Sequence, residues 1–283
     1  MAKSSREKNS EKKSKRSLGR IIIIIILIVI LGVSIFKIVE WAIDSINIVK
    51  QMAAIEEKVN IVEVVDNEKT EIIKQVKKPK EFDPYWDYIN MNLINVDFEE
   101  LKEVNKYTAG WIQVAGTNIN YPIVQAYNNN HFLWYDFEGN RNNAGWIFMD
   151  YRNNKTNFDR NTIIYGHSRT DNTMFGTLKN IMKNGWYDNK DNHVIKLSTE
   201  HENTLWQVFS VYHVPETSDY IQVDFTSDDE YKTFLDKISD RTMLKFDTEV
   251  GASDKILTLS TCYDNNNQYR LVVHSKLIKR DIK

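Results

Sequence analysis

Few residues in this chain have types and surroundings suited to covalent chemistry, and its single cysteine comes first among them. Cys262 ends the run ILTLSTC, where apolar alternation gives way to the polar YDNNNQ, and Arg270 lies eight residues later at the head of YRLVVHSKLI. A thiol of pKa ~8.5 is only a few per cent thiolate at neutral pH, so a nucleophilic role needs a base or a cation beside it. The chain has six histidines, and His167 is set apart by context. The stretch NTIIYGHSRTDNTMFGTL puts it past an apolar strand-length run, after a glycine and before a helical pattern, where catalytic groups are commonly displayed. His131, His193, His201 and His213 sit in polar or ordinary strand contexts. His274 is four residues along a strand from Arg270, ~13 Å at ~3.3 Å per residue, too far to serve the same centre. A lone cysteine at a strand end is also a small buried hydrophobe. Residue type and spacing therefore leave both packing and Cys/His/Arg chemistry open.

Other chemistries lack their residues. The serine of YGHS is not in a nucleophile-elbow sequence, no Cys/His or carboxylate cluster has metal-ligand spacing, and there is no Gly-rich phosphate loop. No metal and no cofactor is expected. One cysteine also excludes a disulfide within the chain.

The elements that must position these groups are mostly strands. GWIQVAGTNINYPIVQ, AGWIFMDYR, NTIIYGHS, HVIKLST, TLWQVFSVYHV, KILTLSTC and YRLVVHSKLI are rich in Val, Ile and aromatics and bounded by Asn, Gly or Asp. So many strands predict a barrel or sandwich. Within KILTLSTC, Leu257, Leu259 and Thr261 share one face while Thr258, Ser260 and Cys262 share the other; Arg270 groups with Val272 and His274. If the two strands are neighbours, Arg270 lies across from Cys262. Short helices are expected at NVDFEELKEVN, with an Asp97/Glu100 capping box and Phe98, Leu101 and Val104 on one stripe, and at TMFGTLKNIMKN, with Met174, Leu178 and Ile181 on one face. Another, with a Ser227/Glu230 capping box and Tyr231, Phe234, Leu235 and Ile238 on one face, falls inside the connection of about forty residues before the cysteine strand. Connections of that length are usually functional.

At 283 residues, 42% hydrophobic and 12% aromatic, the chain has material for a real core, and a formal charge of −2 gives no reason to expect nucleic acid. The charge is unevenly placed. Residues 1–20 carry eight Lys/Arg against two Glu, and IIIIIILIVILGVSIFKIV follows at once. From Ile21 to Val39 that run is ~28 Å long as a helix, close to the ~30 Å of a bilayer core. It predicts a transmembrane helix over 21–41, with Lys37 and Trp41 at the interface, a cytoplasmic basic tail at 1–20 and the rest outside. The run is too long for a typical signal-peptide core and too uniformly apolar for a surface helix. Residues 42–80 read as a helical and charged stalk and linker ending near Pro79, with Ile43, Ile46, Val49, Met52 and Ile55 at three-residue spacing. Compact structure is expected over 81–283.

TLSTC with Arg270 eight residues on, together with NTIIYGHSRTDNTMF, GWIQVAGTNINYPIVQ and HFLWYDFEGN, resembles the class B sortases over about residues 82–280. The resemblance implies a mainly β fold, a closed eight-stranded barrel with a few short helices. It implies a membrane-anchored cysteine transpeptidase on the outer face of a Gram-positive cell. Its partners would be secreted proteins bearing a C-terminal sorting motif, a peptidoglycan precursor or cross-bridge amine, and membrane lipid through the N-terminal helix. Cys262 would attack the carbonyl after the threonine of the motif, His167 would act as acid and base, and Arg270 would donate to the oxyanion. By the same resemblance Asn129, Leu133, Tyr165, Tyr220, Ile221 and Ser260 would line the substrate groove. Tyr263 stands where some relatives carry an acidic residue. A cysteine peptidase sharing every catalytic residue, and a non-catalytic membrane-tethered wall-binding domain, are the alternatives.

Overall fold

Alternation at KILTLSTC and YRLVVHSKLI is realised as two hydrogen-bonded strands at the seam of a closed barrel, seen in a computed structural model that describes residues 2–73, 85–263 and 268–283, with side chains from residue 19 onward. The expected linker end near Pro79 and most of the Asn-rich connector after Tyr263 lie outside the described residues. The chain forms two units, residues 1–46 and 47–283.

The first unit is the greater part of helix α1 (Ala2–Lys58). An 18-residue window of it reaches a mean hydropathy of 3.3 with none of the window buried, and the large apolar side chains from Ile21 to Val39 are all at least half exposed. Such a helix is a candidate membrane span, because a bilayer supplies the apolar surroundings this surface lacks.

The second unit holds, in chain order, β1 (Ile61–Val64), β2 (Thr70–Ile72), the one-turn α2 (Tyr85–Tyr88), β3 (Leu93–Val96), α3 (Glu99–Val104), β4 (Thr108–Val114), β5 (Asn120–Val124), β6 (Phe148–Met149), β7 (Asn161–Tyr165), α4 (Asn184–Tyr187), β8 (Val194–Ser198), β9 (Glu202–Pro215), α5 (Asp228–Asp240), β10 (Ile256–Cys262) and β11 (Tyr269–Ile282). Eight strands in the order β10-β7-β6-β5-β4-β8-β9-β11 close into a mixed barrel through the β10–β11 pairing; β7–β10 and β5–β6 are parallel. β2 adds to β11 at Lys279–Asp281, beyond the end of β10, and β1 and β3 form a separate ribbon.

Parity along β10 decides what each face does. Leu257 and Leu259 enter the barrel core with Leu271, Val273 and Trp206, while Ile256 and Val272 pack outward with Tyr212 of β9 against Tyr220, Tyr231, Phe234, Leu235 and Ile238 of the β9–β10 connection. Both faces of the strand are thus covered until Cys262, which is only partly buried. Helix α5 forms half of its expected capping box: the Ser227 Oγ accepts from the Glu230 amide at 3.1 Å, while the Glu230 carboxylate turns back one residue further, to the Thr226 amide at 2.7 Å.

Three other local expectations differ. In α3 the Asp97 carboxylate accepts from the Glu99 amide at 3.0 Å, and Val104 is exposed while Phe98 and Leu101 are buried. Met174 lies in the left-handed region at φ 52, so only Leu178–Met182 turns as a short 3-10 helix, although Met174, Leu178 and Ile181 are all buried. Residues 47–58, expected in the stalk, bury Ile48, Met52 and Ile55 in the barrel core, with Gln51 Nε2 donating to Asp136 Oδ2 at 2.7 Å. This i, i+4, i+7 stripe follows the helical period, whereas the three-residue series leaves Val49 exposed.

Candidate active site

Three strand ends assemble the candidate groups. In the antiparallel β10–β11 register Cys262 is the direct partner of Arg270, which brings the two residues side by side and onto one face. In the parallel β7–β10 register Ser260 is the partner of Tyr165, so the chain leaves β7 for Gly166 and His167 at the level where β10 runs on to Cys262. That exit is fastened: the Gly166 amide donates to the Ser260 carbonyl at 3.4 Å and the Thr261 hydroxyl donates to the Gly166 carbonyl at 2.7 Å. A Cβ at position 166 would meet the Phe175 ring at 2.8 Å, and Phe175 in turn closes the turn by donating its amide to the His167 carbonyl at 3.0 Å.

The His167 ring is held by backbone. Its Nε2 lies 3.0 Å from the Leu133 carbonyl. A carbonyl only accepts, so Nε2 carries the proton and Nδ1 keeps its lone pair. Burial lowers the pKa of the imidazole; the Leu133 carbonyl opposes this, and the positive charge of Arg169 adds to it. The ring is therefore a neutral base at neutral pH. Arg169 itself is gripped by Asp171, with Nε and Nη2 at 3.0 and 2.7 Å from one carboxylate oxygen.

The Arg270 guanidinium donates from Nη2 to Glu216 Oε1 at 2.7 Å. Ser260, on the outer face of β10, and Tyr220 of the β9–β10 connection share a hydroxyl–hydroxyl hydrogen bond of 2.9 Å, and burial raises the pKa of the phenol. Asn129 Nδ2 and the Tyr165 hydroxyl both donate to Asp150 Oδ2, at 3.0 and 2.9 Å. Ile221 is half-buried, and its carbonyl accepts from Arg152 Nη2 at 3.0 Å. The six groove candidates thus fall into contacts with each other, with His167, or with the Asp150–Arg152 pair.

Four of the other five histidines are engaged elsewhere. His193 stacks on Trp186 at 5.0 Å and donates from Nε2 to the Tyr187 carbonyl, and His131 stacks on Tyr135. His213 pairs in register with core-facing Leu271 and stacks on Tyr263 at 4.4 Å, on the side away from Cys262. His274 is fully buried between Tyr212 and Thr258. Sequence reasoning missed Asp150, Arg152 and Glu216, which read as ordinary polar residues; the opposite charges two apart in MDYR were the one available signal.

A cysteine, a backbone-held imidazole and a guanidinium on adjoining strand ends can perform acyl transfer through a thioester. The Sortase domain family matches residues 112–278. The chain belongs to the class B sortases. It is 38% identical to the Sortase B of Staphylococcus aureus over 188 residues, covering 66% of this chain and 76% of the relative. Among solved structures, a Bacillus anthracis protein described as similar to sortase B matches with a TM-score of 0.59 and 44% identity, over 64% of this chain and 82% of that one. A Staphylococcus aureus sortase B–substrate complex matches with a TM-score of 0.60 and 39% identity, over 64% and 84%. This sortase is accordingly a cysteine transpeptidase, built on the eight-stranded barrel that the motif resemblance implies and of the two folds, barrel or sandwich, that its strand pattern left open.

Proposed function

We propose that this sortase cleaves a C-terminal sorting signal after a threonine and joins the freed acyl group to a cell-wall peptide amine. The observation that carries the residue assignment is the register: Cys262 is the strand partner of Arg270, and the His167 turn is bonded to the residue before the cysteine. The Cys262 thiol gives its proton to Nδ1 of the neutral His167 ring as the sulfur adds to the threonine carbonyl, and Arg270 donates to the oxyanion, a contribution of ~2.7–4 kcal/mol for one such donor. The peptide C–N bond breaks as the His167 imidazolium passes that proton to the departing amine, leaving a thioester and a neutral ring. The incoming amine then loses a proton to His167 and displaces the sulfur, which takes that proton from the ring, forming a new amide and restoring the thiol. Asn129, Leu133, Tyr165, Tyr220, Ile221 and Ser260 line the groove that holds the signal, a reading that rests on the motif resemblance.

In the same reading, residues 21–41 anchor the chain as a single span, the basic tail at 1–20 stays in the cytoplasm, and the catalytic unit over 47–283, larger than the expected 81–283, works outside. The test is full-length protein in detergent, given a sorting-motif peptide with and without a wall-like amine. A new amide-linked product that needs the amine, absent in Cys262→Ala and His167→Ala and formed about 10²–10³-fold more slowly in Arg270→Ala, is the expected result. Hydrolysis alone in the presence of amine overturns the transfer step, and activity surviving Cys262→Ala overturns the nucleophile.

A further inference from the structure

Asp150 follows β6 immediately, its carboxylate wholly out of contact with solvent, yet every donor around it is accounted for. Oδ1 accepts from the Arg152 amide at 3.0 Å and from Arg152 Nε at 2.8 Å. Oδ2 accepts from Arg152 Nη2 at 2.7 Å, Asn129 Nδ2 at 3.0 Å and the Tyr165 hydroxyl at 2.9 Å. Five donors on two oxygens is near the full capacity of an ionised carboxylate. Burial acts to raise the Asp150 pKa, but the Arg152 and Asn129 hydrogen bonds outweigh it and hold the group below the ordinary carboxylate range. Tyr165 answers in kind: burial first, then the Asp150 charge, drives its phenol upward, so it stays a donor.

The pair also reaches across the fold. Arg152 Nη2, after binding Asp150, donates to the Ile221 carbonyl in the β9–β10 connection at 3.0 Å. The Asp150 main chain is pinned as well, its amide donating to the Ile163 carbonyl at 2.9 Å and its carbonyl accepting from Gln125 Nε2 at 2.8 Å. Three segments far apart in sequence, carrying Asn129, Tyr165 and Ile221, therefore meet on one ion pair. These are three of the six residues assigned to the substrate groove.

We propose that Asp150 and Arg152 are positioning residues for peptide recognition: the pair sets the spacing between the Asn129 loop, the end of β7 and the Ile221 wall, and so fixes the width of the groove that receives the sorting signal. Neither residue touches the reacting atoms. The inference rests on the groove assignment above. It follows that loosening the pair affects binding of an extended peptide more than the chemistry at sulfur. Charge-assisted hydrogen bonds in a dry site are the strong ones, and a bidentate guanidinium is not replaced by an ammonium.

The test uses the full-length protein. Arg152→Lys keeps the charge but loses the fork and the reach to Ile221; Asp150→Asn keeps the shape but loses the charge. Each is assayed for KM and kcat on a sorting-motif peptide and for the rate at which a small methanethiosulfonate reagent modifies Cys262. The expected result for Arg152→Lys is a KM raised about tenfold, the effect of losing one charge-assisted hydrogen bond, with kcat and the modification rate within about twofold. Tyr165→Phe in the Arg152→Lys background should add less than it does alone, because both act through one carboxylate. If KM stays unchanged in Arg152→Lys, or kcat falls while KM holds, the positioning role is wrong. Asp150 is the more buried partner, so Arg152→Lys, whose side chain is one-third exposed, is the deciding variant should Asp150→Asn not fold. Failure of the underlying reading looks different: peptide turnover would then persist in Cys262→Ala whatever Arg152 does.

Discussion

Glu216 holds Arg270 from just past the end of β9, on the side opposite to Cys262. The Arg270 backbone lies between Val214 of β9 and Cys262 of β10, and its Nη2 reaches Glu216 one residue past the end of β9, at 2.7 Å. The carboxylate side chain is 70% exposed while that of the guanidinium is 19% exposed. An ion pair so open to water adds ~0–1 kcal/mol to stability at most, so its effect is to orient the guanidinium.

Glu216→Gln is therefore expected to lower kcat a few-fold, corresponding to ~0.5–1 kcal/mol of coupling, with an unchanged melting temperature. In an Arg270→Ala background the same substitution should do nothing further. A double-mutant cycle on kcat/KM measures this, and additive losses in the two backgrounds would refute it. The effect should also shrink in 1 M salt, where the screening length is ~3 Å.

The pH profile should report the burial of His167. Its pKa is lowered by desolvation and, to a smaller extent, by Arg169. The neutral ring needed to accept a proton thus persists to lower pH than an ordinary histidine of ~6.5 allows. The acid limb of kcat/KM is expected below that value, and Arg169→Gln should move it upward by removing a nearby positive charge. An acid limb at or above ~6.5 in the unsubstituted protein would contradict the assignment.

Acid stability should depend on His274. Thr258 donates its hydroxyl to Asn161 Oδ1 at 2.6 Å, so it must accept from His274 Nδ1, at 2.8 Å; Nε2 is then left to accept from the Tyr212 hydroxyl at 2.9 Å. The ring is locked neutral, and burial, with a smaller push from Arg241, lowers its pKa to about 3. The unfolded chain binds a proton at ~6.5, so this contribution to stability is complete above that pH and is lost as pH falls toward the folded value. Thermal unfolding should show His274→Gln less stable at pH 7.5 but with a smaller drop between pH 7 and 5. An unchanged drop would mean that the slope arises elsewhere. The lowered pKa values of His167 and His193 have the same sign, so the slope is reduced rather than abolished.

Much of this was legible in local pattern. Alternation in ILTLSTC and YRLVVHSKLI places Cys262 and Arg270 on faces opposite the leucines, because strand parity is a property of the chain itself. Pairing is not: that Cys262 falls beside Arg270, and that residues 165 and 260 are parallel neighbours, depends on barrel closure, which no local period encodes. Context after an apolar run singled out His167, and the motif resemblance supplied its role, which periodicity could not. Asp150, Arg152 and Glu216 stayed hidden because a charged residue in a loop looks solvated until the fold reveals what covers it. Residues 47–58 were misjudged for a related reason, their buried stripe being set by the surface they pack on.

The strand that carries Cys262 is bonded along both edges, to β7 and to β11, and covered on both faces up to its last residue. Amides of this kind open only with the whole domain, whereas the connection over 216–255 is tied to it largely by side chains such as Tyr220, Arg152 and Tyr231. In deuterium exchange, the proposed nucleophile therefore hangs from the slowest-labelling segment while the connection carrying Tyr220 and Ile221 belongs to a faster class, so the proposed groove can breathe for substrate entry without the sulfur losing its place.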